Sequence, residues 1–255
     1  MNGNSLSKRL ETVASLCDET ETFADVGCDH GFLAIYLLNK KIIKKAVCTD
    51  INEGPLSRAK EHVRVCGFSN ETDFCLSDGL ISVGKDINPT AAAVCGMGGL
   101  MGVKILFDSD ERFRKTEYFI LQLQSDLNLV RIYLEMTGYR IETERLVFEE
   151  GKYYTAMKVS SVTKDNPVLF DNLDEVVSKI KKRYEEISVK EAVDFCFPYY
   201  EGMDLSCYRE FLLFMIDKYE NFVSGMNEKS KGYDEAARYL RIMKCAYKEF
   251  TENEG

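Results

Sequence analysis

The sequence predicts an α/β fold: a doubly wound, mainly parallel sheet whose last strand runs antiparallel, followed by a C-terminal α-helical, coiled-coil-like appendage. Three observations carry that prediction. Short apolar runs alternate with helical repeats from residue 6 to about residue 137. Two strand-like runs then follow each other with only Glu149-Glu150-Gly151-Lys152 between them, which is too short for anything but an antiparallel hairpin. Beyond Ser161 the alternation ends, and apolar residues recur every three and four positions.

Taken in order, residues 6–16 form an amphipathic helix through Leu6, Leu10, Val13 and Leu16. Residues 23–26 are a first strand that stops at a glycine-rich turn, and residues 32–38 are the helix after it. A second strand (45–49) ends at Asp50, and a helix (55–66) follows with Pro55 in its first turn. The third strand (72–76) ends at Asp78-Gly79. The fourth (91–95) runs into Gly96-Met97-Gly98-Gly99 and a helix through Phe107. The fifth (118–123) precedes a helix over 127–137, and the hairpin strands are 139–148 and 153–160. These elements assign residues 1–162 to a sheet domain and 163–255 to the helical appendage. Two long repeats there, Tyr208 to Met226 and Tyr233 to Phe250, flank a polar turn and predict an antiparallel helical hairpin over about 206–250.

Composition sets limits. The 255 residues carry a formal charge of −9, which argues against coating nucleic acid through bulk charge but permits a local basic patch. No run approaches the roughly 20 apolar residues of a membrane span, so no membrane association is expected. Nine cysteines without a CxxC pair read as free thiols in a reducing cytoplasm. With only His30 and His62 as histidines, no metal site is expected.

Four motifs lie at the carboxyl ends of predicted parallel strands, where open α/β sheets bind ligands. Asp25-Val26-Gly27-Cys28-Asp29-His30-Gly31 has two glycines four apart, which permit a tight turn and close approach of a cofactor to backbone N–H groups. It lacks the GxGxxG spacing of dinucleotide sites, because Asp29 stands where the second glycine would be. Asp50, followed by Ile51, is placed to accept ribose hydroxyls, and Asp78-Gly79 to meet an adenine ring. Either aspartate could instead simply cap a helix. Gly96, Met97 and Gly98 predict a backbone-lined hollow. Together the four suggest a nucleoside cofactor, and a nicotinamide oxidoreductase remains one alternative.

These motifs, with Leu121-Gln122 and the run Glu144-x-Leu-Val-x-Glu-Glu-Gly-Lys-Tyr153, resemble the bacterial tRNA (adenine(22)-N1)-methyltransferase family over residues 5–160. That resemblance implies a class I, Rossmann-like methyltransferase sheet, S-adenosyl-L-methionine as cofactor, tRNA as partner and a helical C-terminal domain. Two departures stand out. Ala34 replaces a proline in the first helix after the loop, and Gln122-Leu123-Gln124 replaces Gln-Pro-Asn. Methyl transfer to N1 leaves a cationic ring, so a carboxylate would help, and Asp29 is the candidate with His30 shaping the loop. Lys8, Arg9, Arg58, Arg131 and Lys152 are the expected RNA contacts. A methyltransferase for a small molecule or protein, and a non-catalytic RNA- or protein-binding module, are the remaining alternatives.

Overall fold

A computed structural model describes residues 5–161, 168, 170–200 and 202–253. The expected domain boundary at 162/163 lies outside the described residues.

The chain opens with α1 (Lys8–Ala14), then alternates β1 (Thr20–Val26), α2 (Phe32–Asn39), β2 (Ile43–Asp50), α3 (Glu53–Val65) and β3 (Thr72–Leu76). It continues through β4 (Ala91–Met97), α4 (Gly99–Asp108), the short α5 (Asp110–Phe113), β5 (Tyr118–Leu123) and α6 (Leu127–Thr137). The hairpin is β6 (Tyr139–Glu149) and β7 (Lys152–Ser161), and four helices follow: α7 (Leu173–Glu186), α8 (Val189–Cys196), α9 (Leu205–Ser224) and α10 (Tyr233–Asn253).

The seven strands lie in the order β3-β2-β1-β4-β5-β7-β6. Strands β1 to β5 are parallel, and only β7 opposes its neighbours. The chain crosses to the far edge for β6, and β7 turns back to fill the gap beside β5. The tight turn keeps β6 and β7 paired: Glu150 (φ 48°) and Gly151 (φ 77°) are both left-handed, as a two-residue type I′ hairpin requires. The central strands are apolar runs buried on both faces. Ala91 to Val94 and Phe119 to Leu121 are essentially inaccessible, as expected of a sheet covered by helices on each side. One core layer, with Val103, Leu106, Phe119 and Ile132, lies under α4 and α6; the other, with Phe23, Leu33, Leu37 and Ala59, lies under α1, α2 and α3.

β7 pairs with β5 only at Phe119, Ile120 and Leu121, whereas it pairs with β6 as far as Glu149↔Lys152. The tip of the hairpin therefore overhangs the sheet. Glu149 at that tip accepts hydrogen bonds from the backbone N–H groups of Lys8 (2.6 Å) and Arg9 (3.4 Å), which satisfies the open end of α1. On the other side α9 packs against β6.

The helical region has two affiliations. Val176 and Ile180 of α7 are fully buried in the same core layer as α4 and α6. Helices α8, α9 and α10 have a separate core built on Phe197, Tyr208, Leu212, Ile242, Met243 and Phe250. The α9–α10 arms are 20 and 21 residues, or about 30 Å each at 1.5 Å per residue.

Candidate functional site

Strand order reverses between β1, which connects onward to β2, and β4 on its other side. The crevice at their carboxyl ends is the switch point of the sheet. A cavity of about 750 Å³ opens there, lined by the loops after β1, β2, β3 and β4 and by the N-terminal segment around α1. Its size suits a nucleoside-sized ligand. Of the predicted cofactor residues, Asp25, Gly27, Cys28, Asp50, Ile51, Asp78, Gly79, Gly96 and Met97 all line it.

Asp25 is 4 % exposed at the end of β1. Burial pushes its carboxyl up to about 7, against a backbone hydrogen bond from Ala34 in the first turn of α2, and the nearby Asp50 adds to the rise. Asp50, also buried, accepts a hydrogen bond from the N–H of Asn52 (2.9 Å), which orders the turn into α3. Asp78 is not free: Lys104, from the middle of α4, donates to it at 2.5 Å and to Asp108 at 2.8 Å. Asp108 and Asp78 together hold the Lys104 ammonium above its ordinary value. Lys104 also lines the cavity, and sequence reasoning missed it. Its i,i+4 spacing to Asp108 was visible, but its approach to Asp78 depends on how α4 docks.

The glycines divide by role. Gly27 has φ +70°, and a Cβ there would come within 2.1 Å of Met97 Cε, so the absent side chain lets Met97 lie across the loop. Gly96, at φ +78°, faces the cavity. Gly31 and Gly98 do not line it, contrary to expectation. Gly31 caps α2 in a left-handed conformation, where a Cβ would sit 3.3 Å from Ala59 Cβ, so it lets α2 approach α3. Gly98 caps α4 next to Ser125. Gly99 is the glycine pressed hardest against backbone, since its Cβ would fall 2.2 Å from the Ser125 carbonyl oxygen. The glycine run therefore brings the β4 and β5 loops together as well as lining the cavity.

The first loop also differs from expectation in its hydrogen bonds. The N–H groups of Gly27 and Cys28 both donate to the Thr49 carbonyl, at 2.8 and 3.0 Å, and so tie the loop to β2. They do not point at a ligand. Positive charge enters from elsewhere: Arg9 of α1, expected on the RNA surface, puts its guanidinium in the cavity, donates to Gln122 Oε1 and sits 5.7 Å from the Tyr154 ring centroid. Gln122 is fully buried at the end of β5, and its Nε2 has no partner among the described residues.

Asp29 and His30 stand at the mouth. Asp29 adopts φ 45°, is well exposed, and pairs with Arg58 NH2 at 2.9 Å. His30 Nε2 lies 3.6 Å from Asp29 Oδ2, outside hydrogen-bond range. The His30 ring stacks with Phe32 and His62, and His62 Nδ1 lies 3.0 Å from the His30 carbonyl oxygen. Arg58 is thus a partner of Asp29 as well as a surface cation. Lys8 and Lys152 are exposed near the overhanging hairpin tip.

Arg131 is a correction. It is 5 % exposed on the inner face of α6, bidentate to Glu144 of β6 at 2.9 and 2.8 Å, and it donates to the Phe195 carbonyl at 2.7 Å. It joins α6, β6 and α8, and its guanidinium is committed to these protein partners. Its sequence neighbourhood, one turn into a helix after a site loop, did not reveal which face it occupies.

Among the described residues no helix is long and apolar enough to cross a membrane, and no group of three or more His, Cys, Asp or Glu could hold a metal ion. The nine cysteines are unpaired.

The family described as "Methyltransferase domain" matches residues 6–157. The tRNA (adenine(22)-N(1))-methyltransferase of Bacillus subtilis (strain 168) is 30 % identical over 165 residues, covering 65 % of this chain and 69 % of that one. The structure of the B. subtilis m1A22 tRNA methyltransferase TrmK superimposes with a TM-score of 0.69 at 20 % identity, covering 97 % of this chain and 98 % of that one. The M. capricolum TrmK structure, in complex with S-adenosyl-homocysteine, gives 0.72 at 23 % identity over 96 % of this chain and 98 % of that one. These two likenesses establish a shared fold that includes the helical region.

Proposed function

The chain belongs to the tRNA (adenine-N1)-methyltransferase family of methyltransferase-domain proteins, and on that premise we propose that it is a cytoplasmic S-adenosyl-L-methionine-dependent enzyme that methylates N1 of adenine 22 in tRNA. The observation that carries this reading is the convergence of Asp25, Asp50 and Asp78, from the ends of three strands, on one cavity beside Gly27 and Gly96.

The residues fit the cofactor. Asp50 would accept the ribose hydroxyls, and Asp78, steadied by Lys104, would accept from the adenine amino group. Asp25 would meet the methionine ammonium, and Arg9 would supply a counter-charge for its carboxylate. Gly96 and Met97, on the loop after β4, would line the reacting end. When bound, S-adenosyl-L-methionine supplies an electrophilic methyl group to N1 of the adenine.

N1 of neutral adenine holds a lone pair, so no base is needed to create the nucleophile. The protein's tasks are to take the base out of its stack and to hold it in line. Asp29 at the mouth stabilises the positive charge that develops on the ring, and His30 shapes the loop that carries it. Because Arg58 shares the Asp29 carboxylate, Arg58 tempers that charge and is well sited to release it to incoming RNA. The test is calorimetric titration with S-adenosyl-L-methionine together with label transfer to unmodified tRNA. Binding with transfer supports the reading, and transfer only to protein or small molecules rejects the tRNA assignment.

A further inference from the structure

A second groove of about 390 Å³ begins where the cofactor cavity ends. Gln124 lines both, and its Nε2 donates to the Gly96 carbonyl at 3.1 Å, across the ends of β4 and β5. One wall is the overhanging β6–β7 tip with Tyr153. The other is α9 with Phe214 and Lys218. Phe214 is 40 % exposed although it lies 5.4 Å, centroid to centroid, from Tyr153. Lys152 and Lys218, both exposed, stand on opposite walls.

Aromatic rings between two cations suit an unstacked nucleotide: a base has a π face for the rings and a phosphate for the lysines. We propose that this groove holds the nucleotide adjoining the methylated adenine, with its base against Phe214 and Tyr153 and its backbone phosphate between Lys152 and Lys218. The inference rests on the tRNA reading above and extends it. Continuity through Gln124 sets the occupant, because a base flipped toward Gly96 leaves its chain neighbour at the groove mouth. The appendage and the sheet domain then grip one strand from two sides.

The experiment measures binding of unmodified tRNA to the full-length wild type and to Phe214→Ala, Lys152→Gln and Lys218→Gln across a salt series, with cofactor binding as a control. The slope of log affinity against log salt should fall by about 0.7 for each lysine removed, as for a single-strand phosphate contact. Phe214→Ala should raise the tRNA Kd about tenfold, within the range of one lost base stack, and leave cofactor affinity unchanged. A tRNA abasic next to the target adenine should bind the wild type about tenfold more weakly and Phe214→Ala no more weakly than intact tRNA does. Unchanged salt slopes, or an abasic penalty of equal size in the wild type and Phe214→Ala, would overturn the proposal and leave the groove to an apolar protein partner. If the wild type methylates no tRNA at all, the function reading fails first, whatever the binding data show.

Discussion

Asp25 has the carboxyl that burial disturbs most inside the cofactor cavity. A carboxyl raised to about 7 by burial favours the folded state only while protonated. Its contribution to stability is therefore complete below about pH 4 and is lost as pH rises through 7. Cofactor binding has the opposite sign, since the ammonium needs the carboxylate. Affinity for S-adenosyl-L-methionine should weaken about tenfold between pH 8 and pH 6, and Asp25→Asn should flatten that profile. Calorimetry at several pH values decides it, and an unchanged slope in the variant rules out Asp25 as the source. Asp29→Ala should lower kcat by tenfold or more with little change in cofactor affinity. Parallel losses of turnover and affinity would instead make Asp29 a cofactor-side residue. That Asp25, Asp50, Asp78, Gly27 and Gly96 gather at one cavity was legible in the sequence because strand ends and tight turns constrain residue type locally. Arg9 and Lys104 were not, because each comes from a separate helix and reaches the cavity only through packing.

Among the elements, α6 and β6 are clamped by the Arg131–Glu144 pair, which is inaccessible on both sides. Arg131→Ala would leave a buried, uncompensated carboxylate, at a cost of about 3–5 kcal/mol. Arg131→Met with Glu144→Leu should recover most of that, as measured by chemical denaturation. If the double variant is no more stable than the single one, the penalty does not come from the stranded charge. Gly99→Ala should be more harmful than its type suggests, because the clash is with a backbone carbonyl that cannot swing away. We expect loss of both stability and cofactor affinity through displacement of the Ser125 loop. The sequence showed where most strands and helices lie, since apolar periodicity is a local property. It did not show that β7 inserts between β5 and β6, or that Gly31, Gly98 and Gly99 serve packing. Those depend on what arrives from the other side.

For the molecule as a unit, the helical region raises the question of where the sheet domain ends. Because Val176 and Ile180 are buried against α4 and α6, we propose that α7 belongs with the sheet, and that the appendage begins at Ser188. A chain ending at Ile187 should fold, bind S-adenosyl-L-methionine near wild-type affinity and lose at least about a hundredfold in tRNA methylation. A chain ending at Ser161 should be markedly less stable, because it uncovers the surface that α7 buries. Equal melting temperatures for the two truncations would contradict this division. The net charge of −9 fits a protein that grips RNA at a few placed cations instead of over a broad basic face.

The most direct measurement is nucleotide-resolved mapping of the methyl group after incubation of the protein with labelled S-adenosyl-L-methionine and unmodified tRNA. The expected product is a single N1-methyladenine at position 22, lost when that adenine is replaced by guanine. Label at another nucleotide, on another atom of the base, or persisting after the replacement would contradict it.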